Sequence, residues 1–105
     1  MGLELKTRFH DKSWYSVHKS IVAEKIRQLP SFIEEIANRE FWLKASNSDN
    51  PWEYDVRVFM EDEGLFIESN ITTDTLIKDI KYLFEQLHKL TPVELVDDDD
   101  EIFLL

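Results

Sequence analysis

The chain begins with strict alternation. In Leu3-Glu4-Leu5-Lys6-Thr7-Arg8-Phe9, Leu3, Leu5, Thr7 and Phe9 fall on one face, and Glu4, Lys6 and Arg8 on the other. A period of two predicts a half-buried strand. His10-Asp11-Lys12-Ser13 then reads as a turn. From residue 14 to 38 the period lengthens. Val22, Ile26, Leu29, Ile33 and Ile36 step by four, three, four and three, which is one helical stripe. Pro30 interrupts it, because a proline inside a helix removes a hydrogen bond and clashes with the preceding turn, at about 3 kcal/mol. Ser31-Phe32-Ile33-Glu34 matches a capping box. The pattern predicts two helices, or one kinked helix, meeting at Leu29-Pro30. The segment WYSVHKS, 14–20, is compatible with a strand as well as a helix.

Phe41-Trp42-Leu43-Lys44 predicts a short strand, and Ser46-Asn47-Ser48-Asp49-Asn50-Pro51 a loop. Alternation then returns. Trp52, Tyr54, Val56, Val58 and Met60 share one face; Glu53, Asp55, Arg57, Phe59 and Glu61 share the other. Asp62-Glu63-Gly64 is a turn whose glycine suits a positive φ. Leu65, Ile67 and Ile71 alternate with Phe66, Glu68 and Asn70, completing a hairpin. Residues 73–90 predict a helix with a broad apolar stripe of Leu76, Ile77, Ile80, Leu83, Phe84, Leu87 and Leu90. Lys78, Asp79, Lys81, Glu85, Gln86 and Lys89 take its wet face, and Thr91-Pro92 ends it.

A helix with one apolar stripe must bury it, and the hairpin supplies an apolar face. The expected architecture is therefore α+β: a single domain, with an antiparallel sheet of four to five strands and two or three helices packed on one face. The other face stays open. On it, Phe59 and Phe66 sit opposite each other, ringed by Glu53, Asp55, Glu61 and Glu68. Apolar anchors inside a charged rim are the pattern of a protein interface.

Charge sharpens that picture. The 105 residues carry a net charge of −10. Residues 1–44 hold eight Lys and Arg against six acids, whereas residues 45–105 hold four against sixteen. Such a field repels nucleic acid and anionic lipid and attracts basic proteins. The acidity peaks in Asp97-Asp98-Asp99-Asp100-Glu101, followed by the apolar Ile102-Phe103-Leu104-Leu105. We expect that tail to be pinned on a sheet edge, with the aspartates as a tethered loop beside the hairpin.

Candidate chemistry adds little. Cysteine is absent, so there is no disulfide or thiolate. His10, His18 and His88 have no i,i+4 spacing and no HExxH context. Counted from Asp97, the sixth position is Ile102 instead of the glycine of a calcium-binding EF-hand loop. With two glycines, the chain offers no phosphate-binding loop and no nucleophile elbow. The reading is not an enzyme, with no catalytic residue, no cofactor and no metal. The N-terminal stretch has no apolar signal core, no run is long enough to span a bilayer, and Lys6 stands where a myristoylation signal has Ser or Thr. A cytoplasmic location and no membrane association are expected.

Met1-Gly2-Leu3-Glu4-Leu5, with Phe9 and Asp11-Lys12-Ser13, resembles the start of the cloacin and colicin E3-type immunity proteins. Beyond Ser13 the pattern does not continue, and SIVAEKIRQLPSFIEEIANRE stands where that family is rich in glycine and aspartate. No interface residue is carried over. The resemblance implies a small acidic protein that binds the basic nuclease domain of a toxin through an antiparallel sheet. Immunity proteins of contact-dependent growth inhibition systems are similar in size and charge. The expected function is thus a cytoplasmic immunity protein, monomeric when free, that neutralises a basic cytotoxic domain without touching nucleic acid itself. Its expected contact residues are Glu53, Asp55, Phe59, Glu61, Phe66, Glu68 and Asp97, Asp98, Asp99 and Asp100. The alternatives are an acidic secretion chaperone and a nucleic-acid-mimicking inhibitor.

Overall fold

The computed structural model of the chain describes residues 3–37, 39–45, 51, 53–70 and 73–103. Strand β1 (Leu3–Phe9) keeps the alternation of its sequence, with Leu5, Thr7 and Phe9 buried and Glu4, Lys6 and Arg8 exposed. Two short helices follow, α1 (Lys12–Val17) and α2 (Lys19–Arg27). Asp11 caps the first, its Oδ1 accepting the Trp14 N–H at 3.1 Å. Of the two readings of 14–20, the helix is the one formed.

The stretch after Pro30 is not helical. Phe32–Ile36 forms strand β2, antiparallel to β3 (Glu40–Leu43). Pro30 ends the helical stripe, and Ile33 and Ile36 are β-branched residues that suit a pleated strand. The capping-box spacing at Ser31 was coincidental. Ser31 instead joins two layers: its N–H donates to Asp79 Oδ2 at 3.0 Å, and its carbonyl accepts the Lys44 N–H at 2.8 Å. Asp79, expected on the wet face of the last helix, is for that reason only 8% exposed.

The hairpin is formed by β4 (Val56–Met60) and β5 (Leu65–Ser69). Its glycine serves a purpose other than the expected one, since no described glycine has a positive φ. A Cβ on Gly64 would lie 2.8 Å from the Thr7 carbonyl oxygen, so glycine lets the turn approach β1. The buried Tyr15 pins the same turn from α1, donating its hydroxyl to the Glu61 carbonyl at 2.6 Å. Burial pushes that phenol well above its ordinary pKa, with Glu61 and Asp62 adding to the effect.

Helix α3 (Asp74–Leu90) is capped by Thr73 and leads into β6 (Val93–Asp97), a strand the sequence reading missed. The six antiparallel strands run β2-β3-β4-β5-β1-β6 across the sheet. The α1–α2 segment carries the chain from β1 to the far edge. The β2–β5 meander brings it back, and α3 delivers β6 to the other side of β1. The core lies on one face, where Leu5, Phe9, Phe41, Leu43, Val56, Val58, Leu65 and Ile67 meet Tyr15, Val22, Ile26, Leu76, Leu83 and Leu87 from the helices. The architecture is α+β as expected, with six strands in place of four or five.

After β6 the acidic run makes a tight turn. Asp97 Oδ1 accepts the N–H groups of Asp99 at 2.9 Å and Glu101 at 3.0 Å, and Asp100 takes φ 61°. Ile102 then bridges to Val96, and Phe103 donates its N–H to Leu95 at 2.7 Å while its ring packs on the core. The chain therefore covers the β6 edge with its own tail. Leu104 and Leu105, like Trp52, Ile71 and the 46–50 loop, lie outside the described residues.

Candidate functional site

The helices leave the opposite sheet face uncovered. Cross-strand register sets its side chains in two rows. One row reads Glu40, Phe59, Phe66, Lys6, Val96 across β3, β4, β5, β1 and β6; the next reads Glu34, Trp42, Arg57, Glu68, Glu4 across β2 to β1. Phe59 and Phe66 are direct partners, as expected, with ring centroids 6.0 Å apart. Both rings are half-buried, although no helix lies over them among the described residues.

The alternation on β4 breaks one residue before the strand begins. Tyr54, expected toward the helices, stacks at 5.0 Å on Trp42 on the open face. Asp55, expected outward as a contact residue, is 0% exposed. The physical reason is its hydrogen bonding: Asp55 Oδ2 accepts the Ala45 N–H at 2.9 Å, its own N–H donates to Leu43, and its carbonyl accepts from Asn70. A carboxylate so used locks the end of β4 onto its neighbours and is not available to a partner.

Arg57 is the centre of the face. Its guanidinium carbon lies 4.7 Å from the Tyr54 ring centre and 5.2 Å from that of Phe59. Its Nε donates to Glu68 Oε1 at 3.1 Å, and its Nη1 lies 3.7 Å from Glu40 Oε2. Glu40 also accepts the Trp42 indole N–H. Donating to the Glu68 carboxylate raises the Arg57 pKa further above its already high value, so this cation is permanent. Glu68, expected in the rim as a contact residue, is half-buried and already paired with Arg57.

The remaining expected residues are at the margins. Glu53 and Glu61 are exposed beyond the two ends of β4. Asp98, Asp99 and Asp100 are exposed on the last turn, and Asp97 is half-buried, its carboxylate committed to the backbone of that turn. The carboxylates of Asp97, Asp98 and Asp99 lie within 4.8 Å of one another. The fold brings the two acidic turns toward each other: Glu61, Glu63 and Asp100 border one cleft of about 370 Å³ with Lys6, Arg8 and Lys12. Lys6 reaches Asp100 at 3.8 Å and Lys12 reaches Glu63 at 3.4 Å, both pairs highly exposed.

The histidines have structural surroundings. His10 Nε2 lies 3.0 Å from Glu94, which Arg8 also holds. His18 stacks on Trp14 at 4.5 Å, and His88 stands in the last turn of α3. The residues that the sequence reading missed are Trp42, Tyr54, Glu40 and Glu4. Glu40 and Tyr54 were hidden by uncertain strand ends, and Trp42 lay inside a predicted strand whose faces were not assigned. Glu4 was known to face away from the core, but the register that sets β1 beside β5 is not visible in the sequence. No described helix is long and apolar enough to cross a membrane. Comparison with known protein families, with curated proteins and with solved structures finds no match.

Proposed function

We propose that this protein is an immunity-type inhibitor that binds a basic toxin domain, a nuclease being the expected case, through the uncovered sheet face. The observation that carries the reading is the half-exposed band of Trp42, Tyr54, Phe59 and Phe66 on a face with a carboxylate-rich margin. Aromatic side chains supply large contact area at low entropic cost, and they dominate the energetics of interfaces. The margin supplies charge. Glu4, Glu34, Glu61 and Asp62 are exposed and have no ion-pair partner among the described residues. A nuclease surface is built of Lys and Arg to hold phosphates, so opposite charge steers the encounter and speeds association. The N-terminal resemblance to cloacin and colicin E3-type immunity proteins supports the same role.

The test is direct binding to a panel of basic nuclease toxin domains, including any encoded beside this chain's own gene, with inhibition of nuclease activity as the second readout. Phe59→Ala is expected to weaken the cognate complex by about 30-fold, as loss of a central aromatic anchor does. Its melting temperature should stay close to that of the parent. A chaperone would instead bind an unfolded effector segment and elute as a dimer. A nucleic-acid mimic would keep its affinity without the aromatic band.

A further inference from the structure

The uncovered face already shows how it holds one guanidinium. Arg57 lies beside the Phe59 ring on its own strand, with the Glu68 carboxylate across the seam to β5. The next seam carries a second ring and carboxylate, with Lys6 opposite Phe66 and no guanidinium among the described residues. Phe66 and Glu68 stand two apart on β5, as Arg57 and Phe59 do on β4, and Glu4 of β1 is the direct cross-strand partner of Glu68. Two carboxylates directly opposite in a sheet repel each other and destabilise it. Glu68 is satisfied from one side by Arg57; Glu4 is exposed and has no cation partner among the described residues. Lys6, the nearest candidate on β1, belongs to the other row and reaches away to Asp100.

We propose that the seam between Glu68 and Glu4, beside the Phe66 ring, receives an arginine side chain of the basic partner. This rests on the reading of the face as a binding surface for a basic protein, and it names the group that enters and where. A planar guanidinium suits the position because it stacks on an aromatic ring and offers several N–H donors to two carboxylates at once. An ammonium group meets the charge but not the stacking. The like-charged pair carries a cost in the free protein that the incoming cation removes.

The test uses the full chain labelled with nitrogen-15, with tri-arginine and tri-lysine peptides as probes. Amide shifts on adding tri-arginine are expected to centre on residues 4–6 and 66–68. Glu4→Gln should weaken tri-arginine by about fivefold, the scale of one exposed ion pair. Glu85→Gln removes the same charge from the exposed side of α3, on the opposite side of the sheet, and should change the affinity by less than about twofold. Tri-arginine should also bind better than tri-lysine. In the free protein Glu4→Gln should raise the melting temperature, the opposite of what loss of a structural ion pair would do. Equal losses in the two variants would overturn the proposal, as would shifts centred on residues 61–63 and 97–101, or no binding of tri-arginine. The inference and the function fail separately. A captured toxin domain indifferent to Glu4→Gln refutes the seam alone. Peptide binding as described, with no basic toxin domain captured, refutes the function alone.

Discussion

Phe41 and Trp42 are neighbours on β3, and they point to opposite faces of the sheet. Phe41 is 0% exposed, packed among the helices, with the Arg27 guanidinium of α2 lying 5.9 Å from its ring centre. Trp42 is half-buried against Tyr54, and its indole N–H is held by Glu40. The helix-covered face is stabilised by removing apolar surface from water. Among the described residues, the other face is lined by its own side chains, in rows of rings and ion pairs. One face therefore carries the stability of the fold, and the other can change its chemistry at small cost to the fold.

The same truncation on each face breaks or sharpens this contrast most strongly. Phe41→Ala is expected to cost about 3–5 kcal/mol, the range for deleting a buried aromatic side chain. Phe59→Ala is expected to cost no more than about 1 kcal/mol, since it removes one cross-strand pair from a wet surface. Urea unfolding of both variants measures the difference. Similar losses would mean that the second face is as tightly packed as the first, and the contrast would fall.

A second comparison separates two acids that lie close in sequence. Asp55 is fully buried and Glu53 is exposed, two residues apart in the lead-in to β4. Asp55→Ala strands the Ala45 N–H in the interior and is expected to cost about 1–3 kcal/mol. Glu53→Ala should stay within about 0.5 kcal/mol of the parent. Urea midpoints are again the measurement. If Asp55 could be replaced as freely as Glu53, its bond to Ala45 would not be holding the strand end.

These pairs also show what the sequence could and could not reveal. Alternation was readable wherever it extended for a full strand, as in β1 and the interior of β4, so Arg57, Phe59 and Phe66 were assigned to the correct face. It failed at strand ends, where Tyr54 and Asp55 leave the pleat and hydrogen bonding decides which side chain is buried. The α3 stripe was legible because its apolar positions recur over seventeen residues. The five residues of β2 were not, because two isoleucines three apart fit a helix as well as a strand. Strand β6 was overlooked beside the acidic run, although Val93, Leu95 and Val96 are all buried. Register was beyond reach altogether. Which acid faces which, as Glu4 faces Glu68, depends on pairing between segments more than sixty residues apart, and no local pattern encodes it.

The smallest effect lies at the β1–β6 seam of the uncovered face. Glu94 accepts from Arg8 Nε at 3.3 Å and lies 3.0 Å from His10 Nε2. The Arg8 hydrogen bond is the main cause holding the Glu94 carboxyl below its ordinary value of 4.5; desolvation opposes it, and His10 adds to it. A carboxyl whose pKa is lower folded than unfolded binds fewer protons in the folded state. Its contribution is therefore fully present above the ordinary value and is lost as the pH falls through the lowered one. Glu94→Gln should melt slightly below the parent at neutral pH, and the two curves should converge in acid below both values. Added salt should shrink the neutral-pH gap too, because the pair is solvent-exposed. A gap that persisted unchanged in acid would show that Glu94 acts through packing instead of charge. The seam would then belong with the helix-covered face in the way it is held.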